Sequence, residues 1–133
     1  MYGPEAERAI KAYAQEGSAE AALRKFVILL VRLSYGRTAE ITYASFPNMN
    51  YDRHYQCMLQ DLVQEKTSKV KKIPFFAGRS RSLCFYLNLG DYIATNWDVL
   101  IDSSSLFPML TMLRNPGTAI TQYLKSISVH EET

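Results

Sequence analysis

The stretch from Ser18 to Gly36, SAEAALRKFVILLVRLSYG, decides how the rest of the chain must be arranged. Residues 26–31, FVILLV, are apolar without interruption. An element built from them has no polar side to turn toward water, so it belongs at the centre of the molecule. Ser18 is a good N-cap, Glu20 falls in the first turn, and Gly36 suits the C′ position. These signals predict a central helix over 18–36. A buried strand over 25–33 is the rival reading, because a short apolar run does not declare its period.

On the N-terminal side, Pro4 suits a first helical position, with Glu5 and Glu7 near the positive end of the dipole and Gly17 as the stop. On the C-terminal side, Asn50 can cap a helix over 51–65. There Tyr51, Tyr55, Met58, Leu59, Leu62 and Val63 recur at helical spacing. Two strand-like runs follow, Val70 to Phe76 and Ser82 to Leu89, separated by the Gly-containing loop 77–81. Pro74 marks the first run as an edge strand. Tyr92 to Ile101 reads as a third strand, since Trp97, Val99 and Ile101 alternate with Asp98 and Asp102. Serines 103–105 can cap a short helix to about Arg114. After the breaker Asn115-Pro116-Gly117, Thr118 opens a last helix carrying Ile120, Tyr123, Leu124 and Ile127. The predicted fold class is α+β, with helices packed on a small antiparallel sheet or hairpin. Leu30 and Leu59 are the expected core markers.

The chain has 133 residues, of which 47% are hydrophobic and 21% charged. That fits one globular domain over 1–133, with a frayed tail at about 129–133. The apolar run 26–31 is far shorter than the roughly 20 residues a membrane helix requires, and no basic-then-apolar leader opens the chain. A cytoplasmic protein is expected, the cytoplasm of a host cell included, with no membrane partner. Cys57 and Cys84, without close pairing, fit free thiols in a reducing compartment.

The net charge of +2 hides an uneven layout: residues 1–65 carry seven Lys/Arg and eight Asp/Glu, residues 66–90 six and none, and residues 91–133 two and five. Lys66, Lys69, Lys71, Lys72, Arg79 and Arg81, with aromatics between and after them, could hold an RNA or DNA backbone and stack its bases. Equally, lysines guard edge strands against stray pairing. His54 and Cys57, with Asp61 a turn further along a helix, are too few for a structural zinc without a CxxC or HExxH motif. Asp91, Asp98 and Asp102 have no companion motif for a magnesium site. The six glycines form no phosphate loop, no Gly-x-Ser-x-Gly elbow exists, and neither His54 nor His130 serves an evident nucleophile, so no cofactor, metal or catalytic residue is assigned.

Tyr43, Phe46, Met49, Tyr51 and Tyr55 gather rings and a thioether in one segment, the composition of an interface hot spot. The leading expectation is therefore a non-enzymatic, regulatory or structural protein-interaction module that self-associates or binds a protein partner. A nucleic-acid-binding module using the basic segment 66–81 is second. A small hydrolase or nuclease without a recognisable motif is third.

Overall fold

The computed structural model describes residues 3–33, 42, 44–63, 70–78, 80, 83–113, 118–120 and 122–123. Helix α1, Gly3–Glu16, takes Pro4 into its first turn and buries Ala9, Ile10 and Tyr13. Gly17, at φ +71°, ends it in the left-handed region that suits glycine. Ser18 then caps α2, Ala19–Leu33: its Oγ accepts the amide of Ala21 at 3.1 Å and its carbonyl accepts that of Ala22 at 3.0 Å.

Helix α2 is buried all round from Phe26 to Val31 and divides the apolar interior in two. Ala21, Ile28 and Leu29 meet α1, whereas Leu23, Phe26, Val27, Leu30 and Val31 meet everything that follows in the chain. The helical reading holds over the described part of this stretch and the strand alternative does not; Gly36, the expected C′ residue, lies outside the described residues. Arg32 pairs with Glu7 at 2.7 Å across the α1–α2 contact.

The sheet lies elsewhere than the sequence led us to expect. Strands β1 (Met49–Asp52), β2 (Cys57–Val63) and β3 (Val70–Phe75) form an antiparallel meander in the order β1-β2-β3. The helix predicted over 51–65 is thus a β-hairpin. Its tip shows why: the Asp52 carboxylate accepts the amides of His54 at 2.8 Å and Tyr55 at 3.2 Å, which turns the chain back, and Gln56 closes the turn at φ 52°. As the middle strand, β2 is paired on both edges, with Met49↔Gln60 and Tyr51↔Met58 on one side and Gln60↔Ile73 and Met58↔Phe75 on the other. Tertiary pairing outweighs a helix-like spacing of apolar residues. β3 is an edge strand containing Pro74, as expected. Gln60, Ile73 and Phe75 point into the core; Lys72 and Pro74 are exposed and Leu59 is only half-buried, so Leu59 is no core marker.

Beyond β3, the predicted strands Ser82–Leu89 and Tyr92–Ile101 are replaced by helices α3, Phe85–Thr95, and α4, Trp97–Leu100. The chain beyond β3 consequently leads into a helix rather than into a second strand of a hairpin. Phe85, Asn88 and Tyr92 supply the buried side of α3 at helical spacing, a pattern disguised in the sequence by a polar member and by Gly90. Asn88 is accommodated because its amide donates to the Cys84 carbonyl at 2.8 Å. Asn96 Nδ2 donates to the Ala19 carbonyl at 3.1 Å and so fastens the end of α3 to the start of α2.

Residues 44–46 run antiparallel to 104–106, through Phe46 N to Ser104 O and Leu106 N to Ala44 O, both at 2.9 Å. The helix expected from serines 103–105 to Arg114 is only α5, Pro108–Thr111, which starts at proline without a side-chain cap. Helical residues 118–120 follow, and Tyr13 Oη donates to the Tyr123 carbonyl at 2.9 Å. The expected frayed tail lies outside the described residues. The architecture is α+β.

Two outcomes follow from this packing. Leu30→Asp should abolish the cooperative melt, since an unpaired buried carboxylate costs several kcal/mol, on the order of a small domain's stability; Leu59→Asp, on the outer side of β2, should leave a melt that circular dichroism still detects. Tyr92 donates to the Leu106 carbonyl at 2.6 Å, and burial pushes its phenol well above the usual value of about 10. The unfolded chain therefore releases that proton first, so stability holds below about pH 10 and falls as pH rises above it. Tyr86 and Tyr123, also raised, contribute to the same fall. In denaturant titrations Tyr92→Phe should flatten the alkaline decline while losing about 1–3 kcal/mol at neutral pH, because the Leu106 carbonyl is left unpaired.

Candidate functional site

Among the residues expected to bind nucleic acid, Lys72 is exposed on β3, directly across from Asp61 in the register. The backbone of Lys71 pairs with Leu62. Lys66, Lys69, Arg79 and Arg81 lie outside the described residues. Lys72, Pro74 and Phe76 occupy alternate positions and are all exposed, Phe76 at 52%.

The residues expected at a protein interface are divided by the fold. Phe46, held by its amide to the Ser104 carbonyl, and Met49, on β1, are half-buried and pack against the main core. Tyr51 and Tyr55 stand out near the hairpin tip, Tyr55 at 67% exposure with its ring edge-on to His54 at 4.6 Å. Tyr43 lies outside the described residues. Burial pushes the Tyr86 phenol above its ordinary value, and the phenol of Tyr51 adds to the rise.

Sequence reasoning took Trp97, Val99 and Ile101 for strand residues. They sit instead on the turn of helix at the far end of α3, where Ile101 N donates to Trp97 O at 2.9 Å. Trp97 and Ile101, four residues apart, share one side of that turn, and Asp98 and Asp102 share the adjoining side. Trp97 is 53% and Ile101 54% exposed, Val99 and both aspartates are exposed, and only Leu100 is buried. The alternation of apolar and acidic residues that resembled a strand is, on a helical turn, an apolar pair beside an acidic pair. Asp91 is committed elsewhere, to Lys25 at 2.6 Å. The three aspartates therefore do not act as one group.

A hairpin in place of a helix also removes the spacing that would have aligned His54, Cys57 and Asp61. His54 is exposed at the tip and Cys57 is buried. Among the described residues, no three His, Cys, Asp or Glu side chains stand where they could hold a metal ion, and no helix is long and apolar enough to cross a membrane.

Cys57 and Cys84 are free and buried. Burial pushes the Cys84 thiol up, but the backbone amides of Leu87, Gly78 and Tyr86 near the start of α3 outweigh it and hold the thiol below its ordinary value. None of them closes a capping bond on the sulfur. In the core face of the sheet, Gln60 donates to the Asp61 carbonyl at 3.1 Å while its buried Oε1 has no partner among the described residues.

No family model matches the chain, and no curated protein or solved structure is similar to it. The surface must therefore be read from its own residues. Among the described residues, its large exposed apolar side chains lie at the hairpin tip, just beyond β3, on α3 at Leu87, at the α4 corner and after α5, at Met112 and Leu113. The turn after β3 is tight: a Cβ on Gly78 would land on the Leu83 carbonyl oxygen, 2.7 Å from its carbon and 2.9 Å from Cys84 Cα. Gly78→Ala should accordingly lower stability by about 1–3 kcal/mol, the usual penalty for overpacking, as read from thermal denaturation.

Proposed function

We propose that this chain is a non-enzymatic protein-interaction module that associates with itself. The observation that carries the proposal is the α4 corner, where Trp97, the sole tryptophan of the chain, and Ile101 hold about half of their surface in water. A rigid aromatic beside an aliphatic neighbour is the composition of a binding anchor. Covering such surface gains about 25 cal/mol for every Å² removed from water. Tyr51 and Tyr55 at the hairpin tip offer a second exposed pair. The two free cysteines suit a reducing cytoplasm as the place of action. The nucleic-acid reading has less support, because the net charge is only +2 and Lys72 has Asp61 opposite it.

Sedimentation velocity over a micromolar concentration series is the direct test. The average mass should rise with concentration, and the emission of Trp97 should move to shorter wavelength in parallel as its ring leaves water. A chain that remains monomeric throughout, with unchanged emission, would end the self-association reading.

A further inference from the structure

We infer that β1 is an open strand edge at which two copies of the chain pair antiparallel about a twofold axis, joining their two three-stranded sheets into one. The inference rests on the self-association proposed for the chain and adds main-chain bonds beside its second exposed pair, Tyr51 and Tyr55.

The ladder decides which way each backbone group of β1 points. Asp61 N donates to the Asn48 carbonyl at 2.9 Å, and in an antiparallel pair bonded and non-bonded positions alternate. Asn50↔Leu59 and Asp52↔Cys57 are therefore bonded pairs, whereas Met49↔Gln60 and Tyr51↔Met58 are not. The amides and carbonyls of Met49 and Tyr51 consequently face away from β2. The Met49 amide is already taken, since it donates to the Phe46 carbonyl at 3.1 Å. Tyr51 is different: among the described residues neither its amide nor its carbonyl is bonded, and it stands 54% exposed next to exposed Asn50.

The opposite edge of the sheet is closed by its own residues. Because Cys57, Leu59 and Asp61 turn their backbone toward β1, Met58, Gln60 and Leu62 bond to Phe75, Ile73 and Lys71 of β3. The backbone groups of Lys72 and Pro74 then face outward, and proline has no amide to give. A lysine and a proline on the rim are what keep an edge strand from pairing with another chain, and β1, Met49–Asp52, carries neither.

A second copy fits the open edge. Only another extended strand takes up the donor and the acceptor of Tyr51 together, and the same residue across a twofold axis offers them in reverse order. In that register Tyr51 lies opposite its own equivalent, and Asn50 lies opposite Asp52, an amide donor against a carboxylate. No like charges are opposed along the four residues of the strand. The contact is isologous, so it closes at two copies and leaves no further edge of this kind open.

Amide hydrogen exchange, read residue by residue by NMR on the unmodified chain, tests the pairing over the concentrations at which sedimentation shows association. Exchange at Tyr51 should slow by about tenfold or more as the dimer forms, while Lys72, outward on the other edge, should exchange at an unchanged rate. Tyr51→Pro removes the outward amide and no bond of the β1–β2 ladder, so circular dichroism should show the fold kept while self-association weakens by about tenfold or more. If the chain associates and its Tyr51 amide exchanges as fast in the dimer as in the monomer, or a folded Tyr51→Pro variant associates with full strength, the β1 pairing is wrong while self-association stands. A chain that is monomeric at every concentration removes both.

Discussion

Phe26 is the side chain on which the interior is organised. Fully buried near the middle of α2, it lies 5.3 Å from the Tyr92 ring and 5.7 Å from the rings of Phe85 and Phe107. Those three come from α3 and from the segment entering α5, and Phe85 stacks in turn on Phe75 of the sheet. α3, the segment entering α5 and, through Phe75, the sheet thus reach α2 by aromatic contacts. Tilted and offset rings contribute beyond the area they bury, by about 0.5–1.5 kcal/mol a pair. The arrangement explains why α2 must be apolar around its whole circumference: one side is covered by α1 and the other by this ring cluster.

Where the sequence could be read, local chemistry and tertiary demand agreed. The first two helices carry their signals in adjacent residues, Pro4, Gly17, Ser18 and Glu20, and the apolar run between Phe26 and Val31 leaves no alternative position for α2. Pro74 identified an edge strand because a missing amide is a local fact. Where reading failed, the deciding partner was remote. The hairpin 49–63 depends on β3 along one edge of β2, and its turn on an aspartate accepting two amides, neither visible in the spacing of Tyr51, Tyr55, Met58 and Leu62. α3 was misread because a buried asparagine and an exposed glycine interrupt its pattern, although the Asn88 amide is satisfied by the Cys84 carbonyl one turn back.

The candidate surface was legible in kind but not in place. Rings and a thioether gathered at residues 43–55 pointed to apolar side chains on an interaction surface. Which side chains remained outside was not evident, because Phe46 and Met49 pack against the main core, while Trp97 and Ile101 were turned outward by a helical turn that mimics strand alternation. An alternation of apolar and acidic residues is ambiguous in principle: in a strand it separates two faces, and on one helical turn it sets two neighbouring pairs side by side.

The position of α2 as the wall between two apolar clusters bears on how the protein is made. α1 and α2 are synthesised before the elements that cover them: one side of α2 is covered by residues that follow it, and the Tyr13 hydroxyl meets the Tyr123 carbonyl 110 residues further along the chain. During synthesis a helical pair with a bare apolar flank must wait for the sheet, the ring-bearing helices and the final segment before that flank is closed. Such a nascent chain is a natural client for the holding factors that shield emerging hydrophobic surface, and that dependence would end only once the segment carrying Tyr123 has been made.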